Sequence, residues 1–104
     1  MSTKPERWVV VDITVDGEST KKVFAGWYGG YLDGDSWKLN SGIASEQEFD
    51  DRWEFTGSSG SVYICYKSAY GLSGYMTSVL SGWTNGIQEG SSITIQDQYE
   101  PKEQ

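Results

Sequence analysis

The 104-residue sequence predicts a single α+β domain with one antiparallel, twisted sheet of five or six strands and one helix, at about 68–83, packed on one face of it. Three observations lead to this prediction. Apolar and polar residues alternate in several short segments, which is the pattern of half-buried strands. Glycine, serine, threonine and aromatic residues are abundant, which favours strands joined by turns. Only one segment carries an apolar stripe at helical spacing.

The first two strands are predicted to form a hairpin. Between residues 8 and 15 every odd-numbered position is valine or isoleucine, so one face of this strand is apolar. Asp16 and Gly17 follow, and glycine accepts the positive φ that a tight hairpin turn needs. The chain is therefore expected to return as a second strand over about 19–28.

The middle of the chain is predicted to contain two further strands with an acidic segment between them. A third strand is expected at 36–43, where apolar residues again alternate with polar ones. Ser45 and Glu48 have the spacing of a capping box, so residues 44–50 are interpreted as a loop or one helical turn. A fourth strand is expected at about 52–56.

A strand at 61–67 is predicted to run into the helix. Both faces of this strand are apolar, which is typical of a central strand covered on both sides, and its single cysteine, Cys65, is expected to be buried. Ser68 is the expected N-cap of the helix. A last strand is expected over 91–99, at an edge of the sheet. The helical stripe consists of Leu72, Met76, Val79, Leu80 and Trp83.

Charge and composition limit the possible partners and the compartment. The net charge of −7 argues against direct binding to nucleic acid or to an anionic membrane, which both attract lysine and arginine. No apolar run approaches the roughly 18 residues of a membrane span, and the first residues lack the apolar stretch of a signal peptide. One cysteine forms no internal disulfide, so a cytoplasmic protein is expected. The polar ends, 1–6 and 99–104, are expected to be flexible.

The sequence offers little for catalysis. It contains no histidine, so Cys65 lacks the usual partner that stabilises a thiolate. The segment 57–61, GSSGS, matches neither a Walker A motif nor a dinucleotide fingerprint. Asp33 and Asp35 are not followed by the rest of an EF-hand loop. No catalytic residue, cofactor or metal ion is therefore expected, and an enzyme that relies on carboxylates, tyrosine or lysine is only a third alternative.

The charge is segregated along the chain, which favours a non-catalytic interaction protein. Residues 57–88 carry a single charged side chain, Lys67, and all the acidic residues lie outside this window. We expect such a protein to bind a basic or nucleic-acid-binding protein. Inhibition of that partner is a further expectation, by analogy with the small acidic proteins that phages and mobile elements carry. The predicted partner-binding residues are Glu46, Glu48, Asp50, Asp51, Glu54, Tyr70, Ser73, Tyr75 and Thr77.

A small-ligand site is the alternative function. The segment 26–35 combines glycines with large aromatic residues, which could stack on a sugar ring or a base. The serines and backbone N–H groups of 57–61 could bind a small anion. A homodimer through the neutral face of the helix is a further option. The predicted ligand-binding residues are Trp27, Tyr28, Tyr31, Ser58 and Ser59.

Overall fold

The computed structural model describes residues 2–29, 34–96 and 98–99 and confirms the α+β class. Within these ranges the chain forms eight strands, one α-helix and a short 3-10 turn at Lys67–Ala69. The elements are β1 (Ser2–Thr3), β2 (Arg7–Val15), β3 (Glu18–Trp27), β4 (Ser36–Leu39), β5 (Ile43–Glu48), β6 (Arg52–Gly57), β7 (Val62–Tyr66), α1 (Gly74–Asn85) and β8 (Ser91–Ile95).

The strands form two sheets rather than the single sheet expected. The outer sheet has the order β1-β7-β6-β5, and the middle sheet has the order β4-β3-β2-β8. The β1–β7 pair is parallel, and the other strand pairs are antiparallel. The middle sheet packs against the outer sheet on one face and against α1 on the other, so the described part of the chain has three layers.

The predicted third strand is divided between the two sheets. β4 pairs with β3 in the middle sheet, whereas β5 pairs with β6 in the outer sheet. The chain crosses at Asn40, whose buried Oδ1 accepts hydrogen bonds from the backbone N–H groups of Val23 and Gly42. Gly42 then adopts a φ of 131°, in the region that favours glycine. The alternation of apolar and polar residues continues across such a crossing, so alternation alone could not show that the chain passes from one sheet to the other.

The strand that is covered on both faces is β2, and the prediction that this role belongs to 61–67 was wrong. Trp8 and Val10 face the outer sheet, and Val9 and Val11 face the helix. β7 buries only Tyr63 and Cys65 on its inner face, while its other face is half exposed. The core between the sheets consists of Trp8, Val10, Val23, Ala25, Trp53, Phe55, Tyr63, Cys65 and Tyr99.

The helix begins later than the predicted residue 68. Gly71 has a φ of 138°, which no α-helix accommodates, so a 3-10 turn and a bend precede the helix. Ser73 is the N-cap, and its Oγ accepts a hydrogen bond from the Met76 N–H, which corrects the assignment of the cap to Ser68. The predicted stripe still faces the middle sheet, since Met76 is fully buried and its other members pack around it.

The acidic segment also differs from expectation. Residues 43–48 form the edge strand β5 rather than a loop or a capping-box turn. Its exposed, polar side chains gave no alternation that would indicate a strand. At the N-terminus Ser2 and Thr3 pair with β7, and near the C-terminus Tyr99 lies in the core between the sheets. None of the helices described is long and apolar enough to cross a membrane.

Candidate interaction site at the end of the two-sheet core

A pocket of about 230 Å³ opens at one end of the core between the two sheets. Its base is aromatic and its rim is polar and exposed. We call it the aromatic pocket, and its lining residues are Trp8, Glu48, Trp53, Lys67, Tyr70, Gln98 and Tyr99.

Trp8 is the fixed centre of the base. It lies on the doubly covered strand β2 and is 1% exposed. Its indole N–H donates a hydrogen bond to the Tyr66 carbonyl at 2.7 Å, which satisfies the one polar group of a buried tryptophan. The Tyr70 ring meets Trp8 edge-on at a centroid distance of 4.8 Å, and the Tyr70 hydroxyl donates to the Gln96 carbonyl. Strand β2 and the segment after the 3-10 turn are thus joined at the pocket.

Tyr99 closes the base from the other side. Its ring meets Trp53 edge-on at 4.9 Å, and its hydroxyl donates a hydrogen bond to Glu46 Oε1 at 2.5 Å. Burial raises the pKa of Tyr99 above its ordinary value, and the hydrogen bond and negative charge of Glu46 raise it further. The hydroxyl therefore stays protonated at neutral pH and remains a donor to the acidic edge strand.

An ion pair lies at the rim of the aromatic pocket. The ammonium of Lys67 is 2.6 Å from Glu48 Oε2, and it lies 6.0 Å from the centroid of the Trp53 ring. Both charged side chains are substantially exposed, at 38% for Lys67 and 53% for Glu48. The rim thus places one carboxylate and one aromatic face around the Lys67 ammonium.

The predicted acidic residues separate into two groups. Glu46 and Glu48 project from β5 toward the core and belong to the aromatic pocket or its immediate edge. Asp51 and Glu54 instead pair with Arg52, at 2.9 and 2.8 Å. Hydrogen bonds first with Glu54 and then with Asp51 raise the pKa of Arg52, which stays a cation. Arg52 therefore offsets one of the two negative charges of this second group, and Asp50, which precedes β6, is exposed.

The predicted helix residues lie on another side of the molecule. Tyr70 lines the aromatic pocket with Glu48, but α1 packs on the opposite face of the middle sheet from β5. Ser73 is buried as the N-cap, and Thr77 donates its hydroxyl to the Ser73 carbonyl at 3.0 Å. Tyr75 is 41% exposed on the helix surface. The structure therefore does not bring the acidic strand and the helix together in one surface.

The two parts of the predicted ligand site make contacts within the fold. The Trp27 indole donates to the Lys4 carbonyl, and the exposed Tyr28 hydroxyl accepts from Arg7 Nε. Tyr31 lies outside the described residues. In the turn at 57–60 each backbone N–H has a partner in the 41–42 or 57–61 segments, which leaves none directed outward for an anion. The Ser58 hydroxyl is also bonded to Ser41.

The described groups with reactive chemistry are few. Cys65 is fully buried, and burial raises its pKa, so the thiol is not activated as a nucleophile. Within the ranges that the structure covers, no group of three or more histidine, cysteine, aspartate or glutamate residues could hold a metal ion.

Most of the residues that line the aromatic pocket were not predicted from the sequence. The missed lining residues come from β2, β6, the 3-10 turn and the segment after β8, so no local spacing connects them. One signal was present: Trp8 and Val10 make the first half of the second face of this strand apolar too, which indicates a second buried face. The missed residues are Trp8, Trp53, Lys67, Gln98 and Tyr99.

Comparison with known proteins gives no relative from which a site could be transferred. No protein-family model, curated protein or solved structure matches this chain.

Proposed function

We propose that the protein is a non-catalytic interaction protein that binds a basic segment of a protein partner at the rim of the aromatic pocket. The observation that carries the proposal is the position of Glu48, which belongs to an exposed edge strand and also lines the aromatic pocket. Acidic charge and aromatic surface therefore coincide at one place on the fold. Inhibition of the partner would follow if this basic segment is the one that the partner uses for its own binding.

The edge strand β5 supports recognition of an extended segment. A strand at the edge of a sheet can pair its backbone groups with an added chain. Glu46 and Glu48 lie along β5, and the net charge of the chain is −7. A negatively charged surface attracts basic partners over distance and raises their association rate. A basic, extended peptide therefore fits this edge better than an acidic or a neutral one.

The size of the aromatic pocket favours a side chain of a macromolecule over a whole small molecule. Its volume of about 230 Å³ lies below the range of roughly 300–1,000 Å³ that is usual for small-molecule sites. The alternative ligand site gains no comparable support, because the N–H groups of the 57–60 turn are used within the fold.

The non-catalytic and cytoplasmic parts of the proposal rest on residue chemistry. The chain has no histidine, and its one cysteine is a buried thiol whose pKa is raised. A buried, unpaired thiol suits a reducing compartment. The role of an accessory protein directed against a host protein stays a prediction.

The test is a fluorescence-polarisation titration with defined peptides. A labelled peptide with several lysines in a glycine-serine background should bind, and the same peptide with glutamates should not. The double substitution of Glu46→Gln and Glu48→Gln should weaken binding about tenfold, since it removes two charges at the site and keeps the side-chain shapes.

The matched control removes two charges elsewhere. Glu18 lies beside the hairpin turn and Glu89 in the segment before β8, and both are exposed. Glu18→Gln with Glu89→Gln should change affinity less than about twofold at physiological salt. Equal losses in the two double variants would mean that binding follows net charge alone, and the proposed site would be rejected.

A further inference from the structure

We propose that the aromatic pocket binds one ammonium group, from a lysine of the partner, and that this lysine displaces the chain's own Lys67. The inference rests on the proposed function, because it assigns a chemical class to the residue that enters the same site. It names a lysine of the partner as the occupant of the aromatic pocket and Lys67 as the residue that competes with it.

The geometry around Lys67 shows that the rim accommodates an ammonium. The Lys67 Nζ has a carboxylate oxygen of Glu48 at 2.6 Å and the face of Trp53 at 6.0 Å. An ammonium is attracted to the face of an aromatic ring within about 6 Å of its centroid, and tryptophan is the best such ring. A carboxylate and a tryptophan therefore hold the same cation from two sides.

The base of the aromatic pocket is arranged before any ligand arrives. Trp8, Trp53 and Tyr99 are 1%, 5% and 8% exposed, and edge-to-face contacts and hydrogen bonds fix their rings. A rigid site loses little conformational entropy on binding, which is the usual benefit of preorganisation. The aliphatic part of a lysine side chain suits such an apolar base, while its ammonium stays at the polar rim.

The exchange of one lysine for another costs little. Exposed ion pairs contribute little to stability, so the Lys67–Glu48 pair is a weak obstacle to the exchange. Lys67 is 38% exposed, and only its side chain has to turn into solvent, because its backbone N–H is held by the Asp51 carbonyl. After the exchange the incoming ammonium pairs with Glu48 and faces Trp53, so the charge balance of the rim is unchanged.

This arrangement makes Lys67 a competitor of the partner. Removing its charge should raise the affinity for a lysine, whereas removing the charge of Glu48 should lower it. Opposite effects from the two members of one ion pair would not arise from general loss of structure. General attraction of the peptide to negative charge would also give opposite signs, so the Lys38→Met control, which removes a positive charge elsewhere, separates this effect from displacement of Lys67.

The experiment uses a peptide with a single central lysine in a glycine-serine background, followed by tryptophan fluorescence and by NMR of the protein. The Lys67→Met variant keeps the aliphatic stem and should bind this peptide about fivefold more tightly than the parent protein, whereas Glu48→Gln should bind about fivefold more weakly. The control, Lys38→Met, removes an exposed charge from β4 and should change affinity less than about twofold. Urea unfolding of each variant confirms that the fold is intact.

Three results from these variants and peptides would each overturn the inference. Unchanged or weaker binding by Lys67→Met would reject displacement of that residue. Equal binding of a peptide with acetyl-lysine would reject recognition of an ammonium. Tighter binding of the matching arginine peptide would reject lysine as the occupant.

The failure of this inference can be told apart from failure of the proposed function. If peptides with several lysines bind and depend on Glu46 and Glu48, but the single-lysine peptide does not perturb Trp8 or Trp53, the acidic edge is an interaction site and the aromatic pocket is not a lysine site. If neither peptide binds, both proposals fall.

Discussion

The Sδ of Met76 lies so close to the backbone of Gly26 that a β-carbon added at position 26 would stand 2.4 Å from it. Met76 is the fully buried residue of α1, and Gly26 belongs to β3 in the middle sheet. The helix can approach the sheet this closely only because position 26 has no side chain. This contact fixes the helix on the face opposite the outer sheet.

Gly26→Ala should therefore destabilise the protein by about 1–3 kcal/mol, because the buried Met76 has little room to move away. The free energy of unfolding in urea measures this effect. Gly82→Ala is the matched control: Gly82 is in the interior of α1 with no atom within 4 Å of an added β-carbon. This substitution should stabilise the protein by roughly 0.5–1 kcal/mol through helix propensity. Destabilisation of similar size at both positions would contradict the packing argument.

Ser73→Ala should cost about 1 kcal/mol, because it removes the side-chain oxygen that accepts from the Met76 N–H at the start of the helix. Ser68→Ala is the comparison, since Ser68 is exposed within the 3-10 turn and does not cap α1. It should change stability by less than about 0.5 kcal/mol. If urea unfolding shows a larger loss of stability for Ser68→Ala than for Ser73→Ala, then Ser68, the residue predicted from the sequence, is the N-cap.

Local patterns in the sequence predicted the local elements of this fold well. The hairpin of β2 and β3 forms at Asp16 and Gly17, which both have positive φ, as the Asp-Gly pair indicates. The apolar stripe of the helix also lies on the predicted face. Each pattern depends only on residues that are close neighbours in the sequence, and this is why both could be predicted.

The number of sheets and the site depend on contacts between distant residues. Alternation shows which side chains share a face, but it does not show which sheet a strand joins, so the crossing at Asn40 was missed. Glu46 and Glu48 were predicted to be binding residues from their charge, and this stays a prediction. Tyr99, which links Glu46 to the aromatic base, stands where the predicted last strand ends and the end predicted to be flexible begins. Only the folded chain brings β5 and Tyr99 together.

Asn40→Ala should destabilise the protein by about 1–3 kcal/mol, since the buried backbone N–H of Val23 loses its acceptor. Asn40→Asp keeps an acceptor oxygen for Val23 and Gly42 and loses only the longer hydrogen bond from Nδ2 to the Gly42 carbonyl. It also buries a charge, so its cost should be smaller at low pH, where the carboxyl group is neutral. Urea titrations at two pH values measure both variants. An alanine variant as stable as the parent protein would show that this side chain does not hold the crossing.

The stability of the protein should fall as the pH rises above about 9. Burial raises the pKa of Cys65 above its ordinary value of 9.0, and burial together with Glu46 raises that of Tyr99 above 10.0. Above these ordinary values the unfolded chain loses protons that the folded chain keeps. The unfolded state then binds fewer protons, so the free energy of unfolding decreases with pH. Each group contributes a slope of up to about 1.4 kcal/mol per pH unit.

Two variants separate these contributions. Cys65→Ala should flatten the decline that begins near pH 9, and Tyr99→Phe should flatten the part that begins near pH 10, although each variant also lowers stability at neutral pH by removing buried contacts. The measurement is urea unfolding from pH 7 to the alkaline limit of reversible unfolding. Because the prediction concerns slopes, the losses at neutral pH do not obscure it. If the slopes of both variants stay parallel to that of the parent protein, Cys65 and Tyr99 ionise as easily in the folded state as in the unfolded state. That result would contradict the prediction.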